Sequence, residues 1–480
     1  MSPIHRTSVF VTVLLLLISL PAFGEQADRP NVIIIFADDM GYGDLSCQGH
    51  PTIATPQLDR MAAEGQRWTD FYSAASVCTP SRAALLTGRL PIRNGMCAER
   101  PRVLTAASPT GLPHSEITLA EALKDVGYAT ACVGKWHLGR PPEYLPRAHG
   151  FDRYFGLPYS NDMGRVPGVP PRNEAGEPNF EACNVPLIRD EEVIEPAADQ
   201  RTLTKRYTEE SIRFIREHKD KPFFLYLAHT MPHVPLFRSE KWVGHSRRGL
   251  YGDVVEEIDD GVGQILDTLR ELNIDRNTLV VFTSDNGPWL AFREHGGSAG
   301  LLRDGKGCTF EGGMREPAVF WWPGRIKPAL VRDMGSTLDL LPTCVKLCGG
   351  EVPADRVLDG YDLAPALFGT GRSPRDTMFY YRAKKLYAVR HGDYKVHFFT
   401  RAAYGDNAMT EHEHDPPLLF HLGHDPSEKH NIAAECPDVV AQITEIARKH
   451  AAGVEPVENQ LEKGYDLTKG KTVTTIKIAH

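Results

Sequence analysis

Four short apolar runs, each breaking off into polar residues, leave this 480-residue chain little choice of fold. NVIIIFADDMG ends in Asp38 and Asp39, and YATACVGKWHLG in Lys135 and His137. PFFLYLAHTMPHVP ends in His229 and His233, and NTLVVFTSDNG in Asp285 and Asn286. Continuous β-branched runs belong to strands buried on both faces of a parallel sheet. Helical periodicity fills the intervals at 55–65, 117–126, 203–217 and 251–272. The alternation predicts an α/β fold with a large, mostly parallel, doubly wound sheet. Ligands of such folds sit outside the carboxyl ends of the strands, the edge at which all four polar groups fall.

The flanks read differently. Residues 1–24 have a weakly positive start, an apolar run at 9–20 and a small-x-small end at Ala22-Phe23-Gly24, the pattern of a cleaved signal peptide. No later run is long and apolar enough to span a bilayer, so no integral membrane segment is expected after cleavage. Residues 25–358 are assigned to a catalytic domain, with a loop-rich cover at 156–196. From 359 to 480 the pattern shifts to TMFYYRAKKLYAVRHGDYKVHFF, an antiparallel meander turning at 391–393, closed by a helix near 439–450. TEHEHD at 410–415 reads as an exposed loop rather than a metal site. A net charge of −8 with mixed signs gives no basic stripe, which argues against nucleic acid as a partner.

Cys78 opens CTPSRAALLTGR. Thr79 fits an N-cap, Pro80 the first helical position and Gly88 a stop. Cys78 would then sit just before a helix N-terminus, where free N–H groups and the dipole favour an anion. Arg82, one turn on, can reach back. Exported cysteines are usually paired, and nine is an odd number, so Cys78 is taken as the unpaired one. Asp38, Asp39, Asp285 and Asn286 are oxygen donors from two strand ends, a set suited to a hard cation, Ca²⁺ or Mg²⁺. With a divalent ion bound and Arg82, Lys135 and Lys306 added, the pocket carries a charge of about +2 and should hold an anionic group. His137 and His233 can act as base and acid near neutral pH.

These residues lie in motifs that resemble the sulfatase family. CTPSRAALLTGR is similar to its signature, and GKWHLG, SDNGP, GLLRDGKGCTFEGGMREP and LLFHLGHDPSEKHNIA to its further blocks. HGFDRYFGLPYSNDMG and DQRTLTKRYTEESIRFIREH resemble the branch containing arylsulfatase A and N-acetylgalactosamine-6-sulfatase. The resemblance implies an alkaline-phosphatase-like sandwich with a smaller C-terminal α+β domain carrying an antiparallel sheet. It implies one Ca²⁺ held by Asp38, Asp39, Asp285 and Asn286 with Cys78 beside it. It also implies conversion of Cys78 to formylglycine by a formylglycine-generating enzyme or another maturation factor. The hydrated aldehyde would attack a sulfate ester and form a covalent sulfo-enzyme intermediate. Arg82 would support the diol and His137 act as base, while Lys135, Ser160, His233 and Lys306 contact the sulfate or leaving oxygen. The substrate would be a sulfated small molecule or glycan, and the destination secreted, periplasmic or lysosome-like.

Two positions depart from that branch. Asp304 stands where arylsulfatase A has a cysteine, and Asn161 replaces a histidine and is expected to face the leaving group. Two rival readings stay open on the sequence: a phosphate or phosphonate ester hydrolase on the same fold, and a non-catalytic Ca²⁺-dependent sugar-binding protein.

Overall fold

Strand β1 (Asn31–Ala37) is buried along its whole length. Side chains alternate between the two faces of a strand, and both faces of β1 are covered. Val32, Ile34 and Phe36 pack with Leu85, Leu86 and Leu341, while Ile33 and Ile35 pack with Leu58, Met61 and Ile258. The helices Cys78–Thr87 and Leu340–Leu347 supply the first face. Pro56–Glu64, Leu203–Glu217 and Leu250–Glu271 supply the second. The computed structural model describes residues 29–173, 176–405, 408–466 and 473–479. The expected leader at 1–24 lies outside them. Among the described residues no helix is long and apolar enough to cross a membrane.

The large sheet continues through β2 (Gln66–Tyr72), β3 (Ala129–Gly134), β4 (Arg153–Gly156), β5 (Leu187–Arg189), β6 (Glu192–Glu195), β7 (Phe223–Ala228), β8 (Thr278–Ser284), β9 (Arg315–Trp321) and β10 (Ala329–Ser336). Their order is β10-β2-β9-β8-β1-β7-β3-β4-β5-β6. The central block β8-β1-β7-β3-β4 is parallel. β9 runs antiparallel to β2 and β8, and β5 and β6 extend the far edge antiparallel, so the sheet is mixed outside its centre. Those last two strands come from 156–196, which is therefore more ordered than a plain loop.

Register brings the strand ends level. Phe36 pairs with Ala228, Ala37 with Ser284, and Gly134 with Ala228. The residues that follow, Asp38, His229, Asp285 and Lys135, leave the sheet along one line. Gly134 is required there: its φ is +108°, and a Cβ would meet the Ala228 carbonyl oxygen at 1.8 Å.

A second sheet joins β11 (Thr377–Arg382), β12 (Lys385–His391), β13 (Tyr394–Arg401) and β14 (Thr410–His421) antiparallel, with β15 (Thr474–Ala479) parallel to β14. The helix Pro437–Ala452 packs Ile443 and Ala447 on its Val389, Val396 and Leu419. TEHEHD is not an exposed loop. It opens β14, with Glu411 and His414 buried; Lys385 Nζ lies 2.6 Å from Glu411 and His414 Nε2 lies 2.8 Å from Thr400 Oγ1. Pairing on both sides of the strand outweighs its polar composition.

The two sheets meet through buried charge. Lys395 Nζ contacts Glu311 at 2.9 Å, Glu428 at 3.1 Å and the Thr309 carbonyl at 2.8 Å. The loop before Glu311 carries Lys306, whose carbonyl accepts the Tyr404 amide at 3.0 Å. Asp304 in that loop accepts the Ala403 amide at 2.8 Å. The departure at 304 thus ties the Lys306 loop to the smaller sheet.

Candidate active site

The helix beneath the pocket begins two residues earlier than its sequence suggests. It spans Cys78–Thr87, with Val77 as the extended N-cap and Gly88 left-handed at its end. Cys78 is therefore the first helical residue, and it is 2 % exposed. Thr79 does not cap. Its Oγ1 donates to the His137 carbonyl at 3.0 Å and accepts the Leu104 amide at 3.2 Å. All nine cysteines are unpaired thiols, so parity does not single out Cys78. Its surroundings do: Lys135, Lys306, Asp38 and Asp285 all act on it electrostatically. Burial raises its thiol pKa and the two lysines oppose that rise.

Three cations meet three carboxylates above it. Arg82 Nη2 lies 2.8 Å from Asp285 Oδ2 and 3.4 Å from Asp38 Oδ1, and Nη1 donates to the Lys135 carbonyl at 3.0 Å. Lys135 Nζ is 2.5 Å from Asp38 Oδ2 and 3.3 Å from Ser160 Oγ. Lys306 Nζ is 2.7 Å from the Asp39 carboxylate. All of these groups are buried. Burial alone would push the Asp38 carboxyl up, but Lys135 and Arg82 reverse that and hold it well below the usual range. Asp285 goes the other way, raised by burial and by the Asp38 charge. With Arg82 donating two hydrogen bonds to Asp285 Oδ2, its ionised form has the partners it needs.

Two acceptor oxygens in this cluster, Asp38 Oδ1 and Asn286 Oδ1, are buried without a hydrogen-bond partner. Orphaned acceptors buried in one closed site are what a bound cation would satisfy. Asn286 Nδ2 donates to Asp39 at 2.8 Å, and Asp285 Oδ1 accepts the Asp39 amide at 3.1 Å, so the two strand ends are already tied together. Among the described residues, Asp38, Asp39 and His233 place ligand atoms within 4.8 Å of one another. Asp39 holds a φ of +64° and His137 one of +59°, left-handed positions that non-glycine residues occupy at a cost of about 1–3 kcal/mol.

The two histidines are oriented by backbone. His137 Nε2 donates to the Leu104 carbonyl at 2.8 Å, which leaves Nδ1 buried and unpartnered. Burial and Lys135 lower its pKa far below the ordinary value. His233 Nδ1 faces two acceptors, the Val234 carbonyl at 2.6 Å and Asn161 Oδ1 at 3.1 Å, so that nitrogen carries the proton. Its Nε2 lies 3.6 Å from Asp39. Asn161 is fully buried behind His233, with Nδ2 on the Gln200 side chain and the Pro235 carbonyl. Its side-chain oxygen is turned to His233 Nδ1 rather than left free in the pocket. His229 is not in the site. Its ring packs 6.4 Å from Tyr207 on the opposite side, where burial lowers its pKa to about 4. Sequence reasoning missed Leu104 and Trp289, and gave Thr79 only a capping role. Of the two missed residues, Trp289, next to SDNGP, carried a local signal. Its ring lies 4.4 Å from Lys306 Nζ and 5.5 Å from the His233 ring.

A sulfatase family model matches residues 30–350, and a model for the C-terminal region of aryl-sulfatase matches 373–475. The chain belongs to the sulfatase family. Sulfatases of known activity are similar over nearly its full length. Arylsulfatase A of Bos taurus is 43 % identical, covering 94 % of each chain. N-acetylgalactosamine-6-sulfatase of Canis lupus familiaris is 41 % identical, covering 93 % of this chain and 91 % of that one. The crystal structure of PsFucS1 sulfatase from Pseudoalteromonas sp. superposes with a TM-score of 0.79 at 32 % identity, over 88 % of this chain and 90 % of that one. This sulfatase is a sulfuric ester hydrolase with the alkaline-phosphatase-like sandwich.

Proposed function

We propose that the protein is an exported sulfatase that cleaves aryl or sugar sulfate monoesters with a nucleophile derived from Cys78. The observation that carries this reading is a buried cysteine at a helix N-terminus, faced by Lys135, Lys306, Asp38 and Asp285. Conversion of Cys78 to formylglycine would supply a hydrated aldehyde, a nucleophile that the buried thiol is not. Asp38, Asp39, Asp285 and Asn286 would hold one Ca²⁺, whose charge would stabilise the anionic ester and nucleophile; the orphaned Asp38 and Asn286 oxygens support that placement.

The remaining work falls to this chain's own side chains. Arg82 is locked between Asp285 and the Lys135 carbonyl, so its charge is fixed beside the helix N-terminus without further reorganisation. With Asp38 and Asp39 serving as ligands, Lys135 and Lys306 would be left to contact the sulfate oxygens. His137, with Nε2 tied to Leu104, presents only Nδ1 as a base. His233, with Nδ1 tied to Asn161 and Val234, presents Nε2 towards the leaving oxygen. Ser160 sits on Lys135 to orient it. We assign this chemistry to residues 25–358, and to 359–480 the support of the Lys306 loop.

The test is the mass of the peptide containing Cys78 from protein made with a maturation factor, alongside steady-state turnover of an aryl sulfate. Loss of the thiol, gain of the aldehyde and loss of nearly all turnover in Cys78→Ala are expected. Full activity in Cys78→Ala would sink the reading.

A further inference from the structure

The backbone around Lys306 is bonded on every side. Its amide donates to the Pro288 carbonyl at 2.9 Å, and its carbonyl accepts the Tyr404 amide at 3.0 Å. The next residue, Gly307, is held by both of its polar groups. Its amide donates at 2.9 Å to the carbonyl of Ser76, two residues before Cys78. Its carbonyl accepts from Arg102 Nη1 at 3.1 Å and from Arg382 Nη1.

Arg102 is half-buried, and its guanidinium spans three elements of the site. Besides the Gly307 carbonyl, Nη1 lies 3.3 Å from the Tyr404 hydroxyl, and Nη2 lies 3.4 Å from Ser76 Oγ at the mouth of the Cys78 helix. Tyr404 in turn packs 5.7 Å from Trp289, whose ring lies 4.4 Å from Lys306 Nζ. Two lines therefore run from Arg102 to Lys306. One passes through the Gly307 backbone, the other through the Tyr404 and Trp289 rings to the ammonium itself. The segment that carries Arg102 is pinned on either side of it. Glu99 pairs with Arg382 and Arg401 of the smaller sheet, and the Leu104 amide donates to Thr79 Oγ1 at 3.2 Å. A planar guanidinium fork can serve such divergent acceptors at once, which an ammonium on a flexible stem cannot.

We propose that Arg102 is a positioning residue: it sets the distance between the Lys306 ammonium and the nucleophile at Cys78, and acts through Lys306 without touching the substrate. The assignment rests on the sulfatase reading above, in which Lys306 contacts the sulfate.

The experiment is a double-mutant cycle on kcat/KM for an aryl sulfate. Wild type is compared with Arg102→Gln, Arg102→Lys, Lys306→Ala and the double variant Arg102→Gln/Lys306→Ala, each with a melting curve. Arg102→Gln should lower kcat/KM by about tenfold, the loss of one charge-assisted contact. Arg102→Lys keeps the charge but not the fork, so it should recover only part of that loss. Effects that pass through one shared group do not add. With Lys306→Ala down by about 10²-fold, the double variant should stay near 10²-fold, because no ammonium is left to position. If the glutamine variant does not fold, Arg102→Lys with Lys306→Ala supplies the same cycle. A double variant down by about 10³-fold, the product of two independent losses, would overturn the assignment and leave the sulfatase reading intact. Wild-type rates in folded Arg102→Gln, or complete recovery in Arg102→Lys, would do the same. Absence of turnover on an aryl sulfate by wild type would overturn both.

Discussion

Arg82 and Asp285 meet at 2.8 Å with neither side chain reaching solvent. One comes from the helix that starts at Cys78, the other from the end of β8. Their contact sets the position of the helix N-terminus against the sheet edge. Removing one partner of a buried pair leaves an uncompensated charge and costs about 3–5 kcal/mol. Arg82→Ala should therefore lower the unfolding free energy by that amount in urea titration and abolish turnover. A variant as stable as wild type would show that the pair does not organise the site.

Thr79 joins the helix start to both His137 and Leu104. Thr79→Val keeps the shape and removes the hydroxyl, so the Leu104 amide and His137 carbonyl each lose a partner at about 1–3 kcal/mol. The melting temperature should fall. In steady-state kinetics kcat should drop more than KM changes, because the variant misplaces a base rather than a binding group. An unchanged kcat would remove Thr79 from the supporting role.

Cation binding should appear without any assay of turnover. A ligand at 100 times its Kd stabilises the folded state by about 2.7 kcal/mol. Chelation should lower the melting temperature and Ca²⁺ should restore it, more effectively than Zn²⁺ if the donors are all oxygen. Asp38→Asn should abolish the Ca²⁺-dependent shift. A melting curve indifferent to chelator and Ca²⁺ would argue against a resident cation here.

Lys306 tests the choice of anion. Lys306→Ala should lower kcat/KM for an aryl sulfate by roughly 10²-fold, the loss expected for one preorganised electrostatic donor. A phosphate monoester carries nearly twice the charge of a sulfate at neutral pH and should act mainly as an inhibitor. Faster hydrolysis of the phosphate than of the sulfate with one leaving group would favour the phosphoesterase reading.

The small sheet reaches the same loop through Lys395. Lys395→Met leaves Glu311 and Glu428 buried without that cation, at a cost of about 3–5 kcal/mol. Because the Glu311 loop carries Lys306, the sulfate kcat/KM should fall as well. Limited proteolysis near 301–310 should speed up. Full activity in a folded variant would show that the loop holds its place without the smaller sheet.

The strand ends were legible because a strand buried on both faces must be a continuous apolar run. Such a run marks where it leaves the sheet: Asp38 after β1, Lys135 after β3, Asp285 after β8. Motif resemblance added Ser160, which no periodicity reveals, and implied sulfate-contacting roles for His233 and Lys306. What the sequence could not determine was direction and partnership. Two asparagines look alike on paper, yet Asn286 turns an orphaned oxygen into the cluster while Asn161 turns its oxygen to the back of His233. Thr79 has the composition of a cap but bonds across the fold to residues 25 and 58 positions away. TEHEHD reads as a solvated tract and becomes a strand, because pairing with β13 and β15 satisfies its backbone. Local pattern records what each residue can bury. Which hydrogen-bond partner it meets depends on segments far apart in the chain, and only the packed tertiary structure decides that.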